Sequence, residues 1–186
     1  MSESKKFDID AYWTAISGKW VKTEAPTQLK TKNKFERDLA KGQLAEHNFF
    51  MLYQHCITRT DGKRGDFEIN KTGEKIELKT DSYNPAHTDN FFMERYSYDK
   101  KNGGPWQSQE HNVQYYLYWF PIDGSLFIFN VNELVRKLSK IEKTLQKINI
   151  KNEGYVTVGY KVQRDLLKGL FLQPEDIGLF QLKVKK

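Results

Sequence analysis

The chain has 186 residues, 38% of them hydrophobic and 14% aromatic, which is enough apolar material for one compact domain with a core of ordinary size. Its formal charge is +6, its pI near 9.2 and its mean hydropathy −0.74, yet the charges are interleaved with Phe, Tyr and Trp, which excludes a chain disordered throughout. A single cysteine, Cys56, excludes an internal disulfide and a cysteine-built zinc site, and the polar first ten residues and the lack of any run near the roughly 20 apolar residues of a membrane span predict a soluble, cytoplasmic protein.

Residues 8–20 predict a short helix ending at Gly18, and 21–33 a polar connection containing Pro26. From residue 34 to about 51, Phe35, Leu39, Gly42, Glu46 and Phe50 recur at intervals of three or four, the pattern of one helix face. Glu46 falls within that apolar stripe, where a carboxylate needs a hydrogen-bond partner, a counter-charge or a metal. Gly42, one turn earlier, either lets the helix approach a sheet closely or is simply tolerated.

Between residues 64 and 81 the period switches to two. Phe67 and Ile69 alternate with Asp66 and Glu68, and Ile76 and Leu78 with Glu77 and Lys79, around turn-forming residues 70–74: a β-hairpin. Burying the four apolar residues together puts Asp66, Glu68, Glu77 and Lys79 on the other face. A connection of residues 71–74 sets Glu68 opposite Glu77 and Asp66 opposite Lys79. Residues 90–98 predict a third strand, 100–105 a glycine loop, 107–116 a helix, and 116–121 and 125–131 two strands around Asp123-Gly124.

Leu134, Leu138, Ile141, Leu145 and Ile148 predict a helix over 131–148, opened by Asn130 and Glu133 in the manner of a capping box and carrying Arg136, Lys137, Lys140, Lys143 and Lys147 on its other face. Residues 155–162 predict a strand; 165–180 are too mixed to assign. The order of elements implies an α/β or α+β layered domain with a mixed sheet, a core at about 34–131 and a basic extension at about 132–186. Charge is distributed accordingly, at +3 over residues 1–45, −4 over 46–133 and +7 over 134–186. An acidic centre that collects a cation, with basic ends that hold a polyanion, accounts for that pattern.

Carboxylates facing each other across strands repel, and a cation relieves them; hard oxygen ligands select Mg²⁺, Mn²⁺ or Ca²⁺. The alternative is a solvated sheet face, with Lys79 a neutralising partner of Asp66. A helix glutamate, Glu46, then Gly65-Asp66 on one strand and Glu77-Leu78-Lys79 on the next resembles the PD-(D/E)XK nuclease superfamily over residues 34–120, with Gly65 where that family nominally has proline. The resemblance implies a restriction-endonuclease-like αβββαβ core and a deoxyribonuclease. In it the Asp66 and Glu77 positions ligate Mg²⁺, with Mn²⁺ able to substitute, and the Lys79 position orients the attacking water. Phage-type members imply action in the cytoplasm of a host.

Thr88, Asn90 and Glu94 resemble a polar cluster of such members, or else a solvated strand start. His111 and Gln114 face phosphates, or are exposed helix residues. Lys100, Lys101 and Trp106 offer a backbone-contact surface, joined by Lys137, Lys140 and Lys147 of the basic helix. Neither GxGxxG nor a Walker A loop is present, so no nucleotide cofactor is expected. The expected partners are DNA and, if both strands of a duplex are cut, a second copy of the chain. Two other readings compete: a non-catalytic basic nucleic-acid-binding module, and an interaction protein using 131–148 as a coiled-coil seam.

Overall fold

The most apolar run in the chain, Tyr115–Phe120 (YYLYWF), is buried on both of its faces and is therefore an inner strand of a covered sheet. The computed structural model describes residues 34–81, 88–152 and 154–180; the helix expected at 8–20 lies outside them. Helix α1 (Lys34–Tyr53) leads into strands β1 (Ile57–Arg59), β2 (Phe67–Ile69) and β3 (Lys75–Thr80), then β4 (Asn90–Tyr96), helix α2 (Gly104–Glu110), β5 (Tyr115–Phe120), β6 (Ser125–Asn130), helix α3 (Val131–Ile141), β7 (Gln146–Lys151) and β8 (Val156–Gln163). One sheet has five strands in the order β1-β2-β3-β5-β6, mixed because β3 and β5 run parallel while the other pairs are antiparallel. A second sheet has three, in the order β4-β8-β7.

Alternation along β2 and β3 sorts the side chains as expected. Phe67, Ile69, Ile76 and Leu78 pack with Phe49 and Tyr53 of α1 and with Leu117 and Trp119 of β5. The opposite face, with Tyr116, Tyr118 and Phe129, meets Phe91 and Met93 of β4, Leu134 and Leu138 of α3, and Tyr160 and Val162 of β8. The five-stranded sheet is thus a layer between α1 and a second layer of sheet and helices.

Five expectations need correction. The helix expected at 107–116 spans Gly104–Glu110, so it starts inside the glycine loop expected at 100–105, and Tyr115 and Tyr116 belong to β5. The hairpin register is Phe67 with Ile76 and Glu68 with Lys75, two residues away from the one inferred; an even shift leaves every side chain on its expected face. The strand at 90–96 does not extend the hairpin sheet but pairs with β8. The five-stranded sheet instead gains the three-residue β1, too short to leave a periodic signal. The helix from Val131 ends at Ile141, and residues 146–151, including Lys147, form β7 against β8. Asn130 does cap that helix, its side chain accepting from the Asn132 and Glu133 N–H groups. Because Leu134, Val135 and Leu138 are buried in the core, the helix has no apolar seam left for a coiled coil.

Candidate active site

The site forms where the β2–β3 ladder stops. Gly65, with φ +88, turns the chain as it enters β2, and a Cβ there would lie 2.8 Å from the Ile76 carbonyl oxygen. Glycine is required twice over, by conformation and by contact, and proline, locked near φ −65°, is excluded. The Asp66 N–H still donates to Ile76 O at 2.8 Å. Beyond that bond no β2 residue reaches the Leu78 N–H, and the Asp66 Oδ2 accepts from it instead, at 2.8 Å. Asp66 is thereby pinned beside β3 next to Glu77.

Glu77 and Lys79 alternate with buried Ile76 and Leu78, so they project from the face away from α1, level with Tyr116 and Tyr118 of the parallel neighbour β5. Burial first, then the carboxylates of Asp66 and Glu46, push the Glu77 carboxyl up to about 8, against the opposing pull of the Lys79 ammonium. Burial likewise raises Asp66, while the Leu78 N–H draws it down. Glu46 is raised by burial and by Asp66 and lowered by Arg59. Three carboxylates therefore sense one another at one locus. Tyr116, buried beneath them, has its hydroxyl pushed well above its usual range by burial, with Glu77 the largest charge acting on it.

The sequence placed Glu46 inside the helix's apolar stripe. The structure agrees: Glu46 lies about 20° around the helix from buried Tyr53 and about 40° from Phe50, both packed in the core beneath α1, and it is half-buried with the Asp66 carboxylate acting on it. A Cβ at Gly42 would meet nothing within 4 Å, so that glycine marks no close approach.

From the second sheet, Glu94 joins the site. Its carboxyl is raised by burial and lowered by Lys79, which stands between it and Glu77 in charge. Tyr118 ties the two sheets here, donating to Asp81 Oδ2 at 2.7 Å and accepting from the Phe92 N–H at 3.2 Å. Gly103 and Gly104 close over Glu94: a Cβ on Gly103 would lie 2.7 Å from the glutamate's Cγ and Oε1, and one on Gly104 2.8 Å from its main-chain oxygen. Paired glycines beside a strand were the sequence signal for that close approach.

The remaining candidates separate. Gln114 is structural, its Oε1 accepting from the Lys75 N–H and its Nε2 donating to Asn112 O. His111 caps the end of α2, and the Thr88 hydroxyl accepts from the Asn90 N–H within the start of β4. Trp106 is buried under Arg95, whose guanidinium lies 4.8 Å from the ring centroid, so it offers no contact surface; Lys100 and Lys101 beside it are exposed. Lys140 and Lys147 are exposed and Lys137 half-buried. Register puts Lys147 level with Tyr160 and Glu94 level with Gly159, on opposite faces of the second sheet.

Among the described residues no three His, Cys, Asp or Glu side chains form a ready-made metal cage. Nor, among them, is any helix long and apolar enough to cross a membrane. Comparison with known proteins returned no match, whether to a protein-family model, a curated protein or a solved structure.

Proposed function

We propose that this protein is a divalent-metal-dependent nuclease hydrolysing DNA phosphodiester bonds, with Asp66, Glu77 and Lys79 as its reaction centre and Glu46 beside them. The observation that carries the reading is the meeting of two desolvated carboxylates and an ammonium at the break in the β2–β3 ladder. Buried like charges raise one another and are costly unless a cation relieves them. A structural hairpin has no need of that arrangement, since apolar or neutral residues at the same positions close the ladder without the cost. Setting aside β4, which pairs in the second sheet, the order α1, three antiparallel strands, α2 and a strand parallel to β3 also agrees with an αβββαβ core.

The donor set fits Mg²⁺, with Mn²⁺ substituting. Both ligands offer hard oxygen, and Mg²⁺ is commonly held through one or two carboxylates with waters and substrate phosphate completing its shell, so no all-protein cage is required. Such a cation supplies charge to the phosphoryl oxygens and acidifies a water. The chain does the rest. Asp66, fixed through one oxygen to Leu78, would hold the cation through its other oxygen. Glu77, whose surroundings favour its proton, would hold the cation as the carboxylate. Lys79, two residues on along the same face, places a fixed positive charge where negative charge develops on the phosphate, and Glu94 opposes any drift of that ammonium.

The test is incubation with linear duplex, single-stranded and branched DNA, with Mg²⁺ or Mn²⁺ and with EDTA. Metal-dependent cleavage of at least one substrate is expected. Binding without cleavage under every metal condition would contradict the reading and leave a nucleic-acid-binding module.

A further inference from the structure

Arg59, the last residue of β1, and Lys63 and Arg64 of the β1–β2 loop stand with one acid, Asp61, and all four are exposed. The loop is compact. The Thr60 N–H donates to Asp66 O at 3.0 Å, the Thr60 hydroxyl donates to Gly65 O, the Gly62 N–H donates to the Thr60 hydroxyl at 3.1 Å and the Lys63 N–H to Asp61 Oδ1 at 3.1 Å. Arg59 is held at its base: its guanidinium lies 5.0 Å from the Phe50 ring centroid and 3.3 Å from His47 Nδ1, next to Glu46. The loop ends at Asp66 itself. These cations flank the carboxylates: the Arg59 charge acts on the Glu46 carboxyl, and Arg64 lies two residues before Asp66 in the chain. Lys147, by contrast, lies on the sheet face opposite Glu94.

We propose that the end of β1 and the β1–β2 loop, through Arg59, Lys63 and Arg64, form the surface that seats the phosphate backbone of duplex DNA beside the reaction centre. The inference deepens the nuclease reading and rests on it for the identity of the partner. A rigid loop suits the role, because ordering it on binding costs little entropy, and a cluster of cations beside a carboxylate pair offsets the repulsion the carboxylates exert on a polyanion. Each phosphate contact releases condensed counterions, so the loop contributes a salt dependence that does not vary with DNA sequence.

The test measures affinity of the full-length protein for a short duplex by fluorescence anisotropy across a salt series, in EDTA so that no cleavage intrudes. Lys63→Ala/Arg64→Ala removes two exposed side chains with no packing role, and Lys137→Ala/Lys140→Ala/Lys147→Ala is measured beside it. The loop variant is expected to flatten the log-log salt slope by about two units and to weaken binding roughly tenfold or more near 0.1 M salt. An unchanged slope in the loop variant overturns the proposal, as does a loss confined to the α3–β7 variant, or tighter binding of a matching RNA duplex than of DNA. Cleavage assays on the same proteins separate the two claims: a loop variant with an unchanged slope that still cuts DNA overturns the docking surface alone, whereas a parental protein that binds through the loop and never cuts overturns the nuclease reading alone.

Discussion

Gly65 stands where the resembled family nominally has proline, and the backbone accounts for it: φ +88 and the Ile76 carbonyl at 2.8 Å from any Cβ admit no other residue cheaply. Gly65→Ala should cost about 1–3 kcal/mol in urea unfolding and displace Asp66 from Leu78, lowering activity as well. Asp66 itself has two duties that substitutions can separate. Asp66→Asn keeps an oxygen for the Leu78 N–H and should leave stability within about 1 kcal/mol while abolishing cleavage; Asp66→Ala also orphans that N–H and should unfold more easily by about 1–3 kcal/mol. Equal stability of the two would show that the hydrogen bond contributes nothing. Glu77 makes the pH prediction. Its carboxyl is raised from 4.5 to about 8 in the metal-free protein, so between those values the folded state holds a proton that the unfolded state has released. Stability from this group is full below about 4.5, falls as pH rises and is lost above about 8. The midpoint of thermal unfolding in EDTA should therefore drop across that window for the parental protein and drop less for Glu77→Gln; parallel curves would contradict the burial of this charge.

Elements differ in how legibly the sequence announces them. The hairpin was readable because four apolar residues at period two admit one sorting of faces, and a two-residue error in pairing preserves it. Glu77 and Lys79 therefore reached the right face from pattern alone. Residues 146–151 were misread because Leu145 and Ile148 continue the helical spacing of Leu134, Leu138 and Ile141, while Ile148 and Ile150 also alternate with polar neighbours; pairing with β8 decides between them, and that partner is not local. The second sheet is illegible for the same reason, since β4 and β8 are separated by more than fifty residues of chain. For Glu94 the sequence therefore leaves two readings open, a polar cluster by resemblance or a solvated strand start, and only the second sheet brings its carboxyl within reach of the Lys79 charge. Gly103→Ala should force that carboxylate away from its place, and because its Cβ would strike a side chain and not the main chain, the fold should survive. The expected result is a lower kcat with DNA affinity retained; an unaltered kcat would leave Glu94 without a part in positioning Lys79.

At the scale of the molecule, the acidic middle and basic ends of the sequence turn out not to map simply onto centre and rim. Three cations of the acidic middle, Arg59, Lys63 and Arg64, precede Asp66 within seven residues, and Lys147 of the basic end is on the sheet face away from Glu94. Residues of α1, the five-stranded sheet and β4 meet at a site whose buried carboxylates are unfavourable alone, and binding of a cation should therefore stabilise the whole fold. Mg²⁺ at about 100 times its Kd should add about 2.7 kcal/mol, an effect that EDTA reverses and that grows with pH as Glu77 releases its proton. The central claim, that Asp66, Glu77 and Lys79 form a nuclease reaction centre, is tested most directly by the single-turnover cleavage rate of Lys79→Ala at saturating DNA and Mg²⁺, with its fold checked by circular dichroism. Lys79 is half-buried on the face away from α1 and has no place in the apolar packing, so the variant should fold, bind DNA and cut about 10² to 10³ times more slowly than the parent. A folded Lys79→Ala protein that cuts at the parental rate would contradict the account.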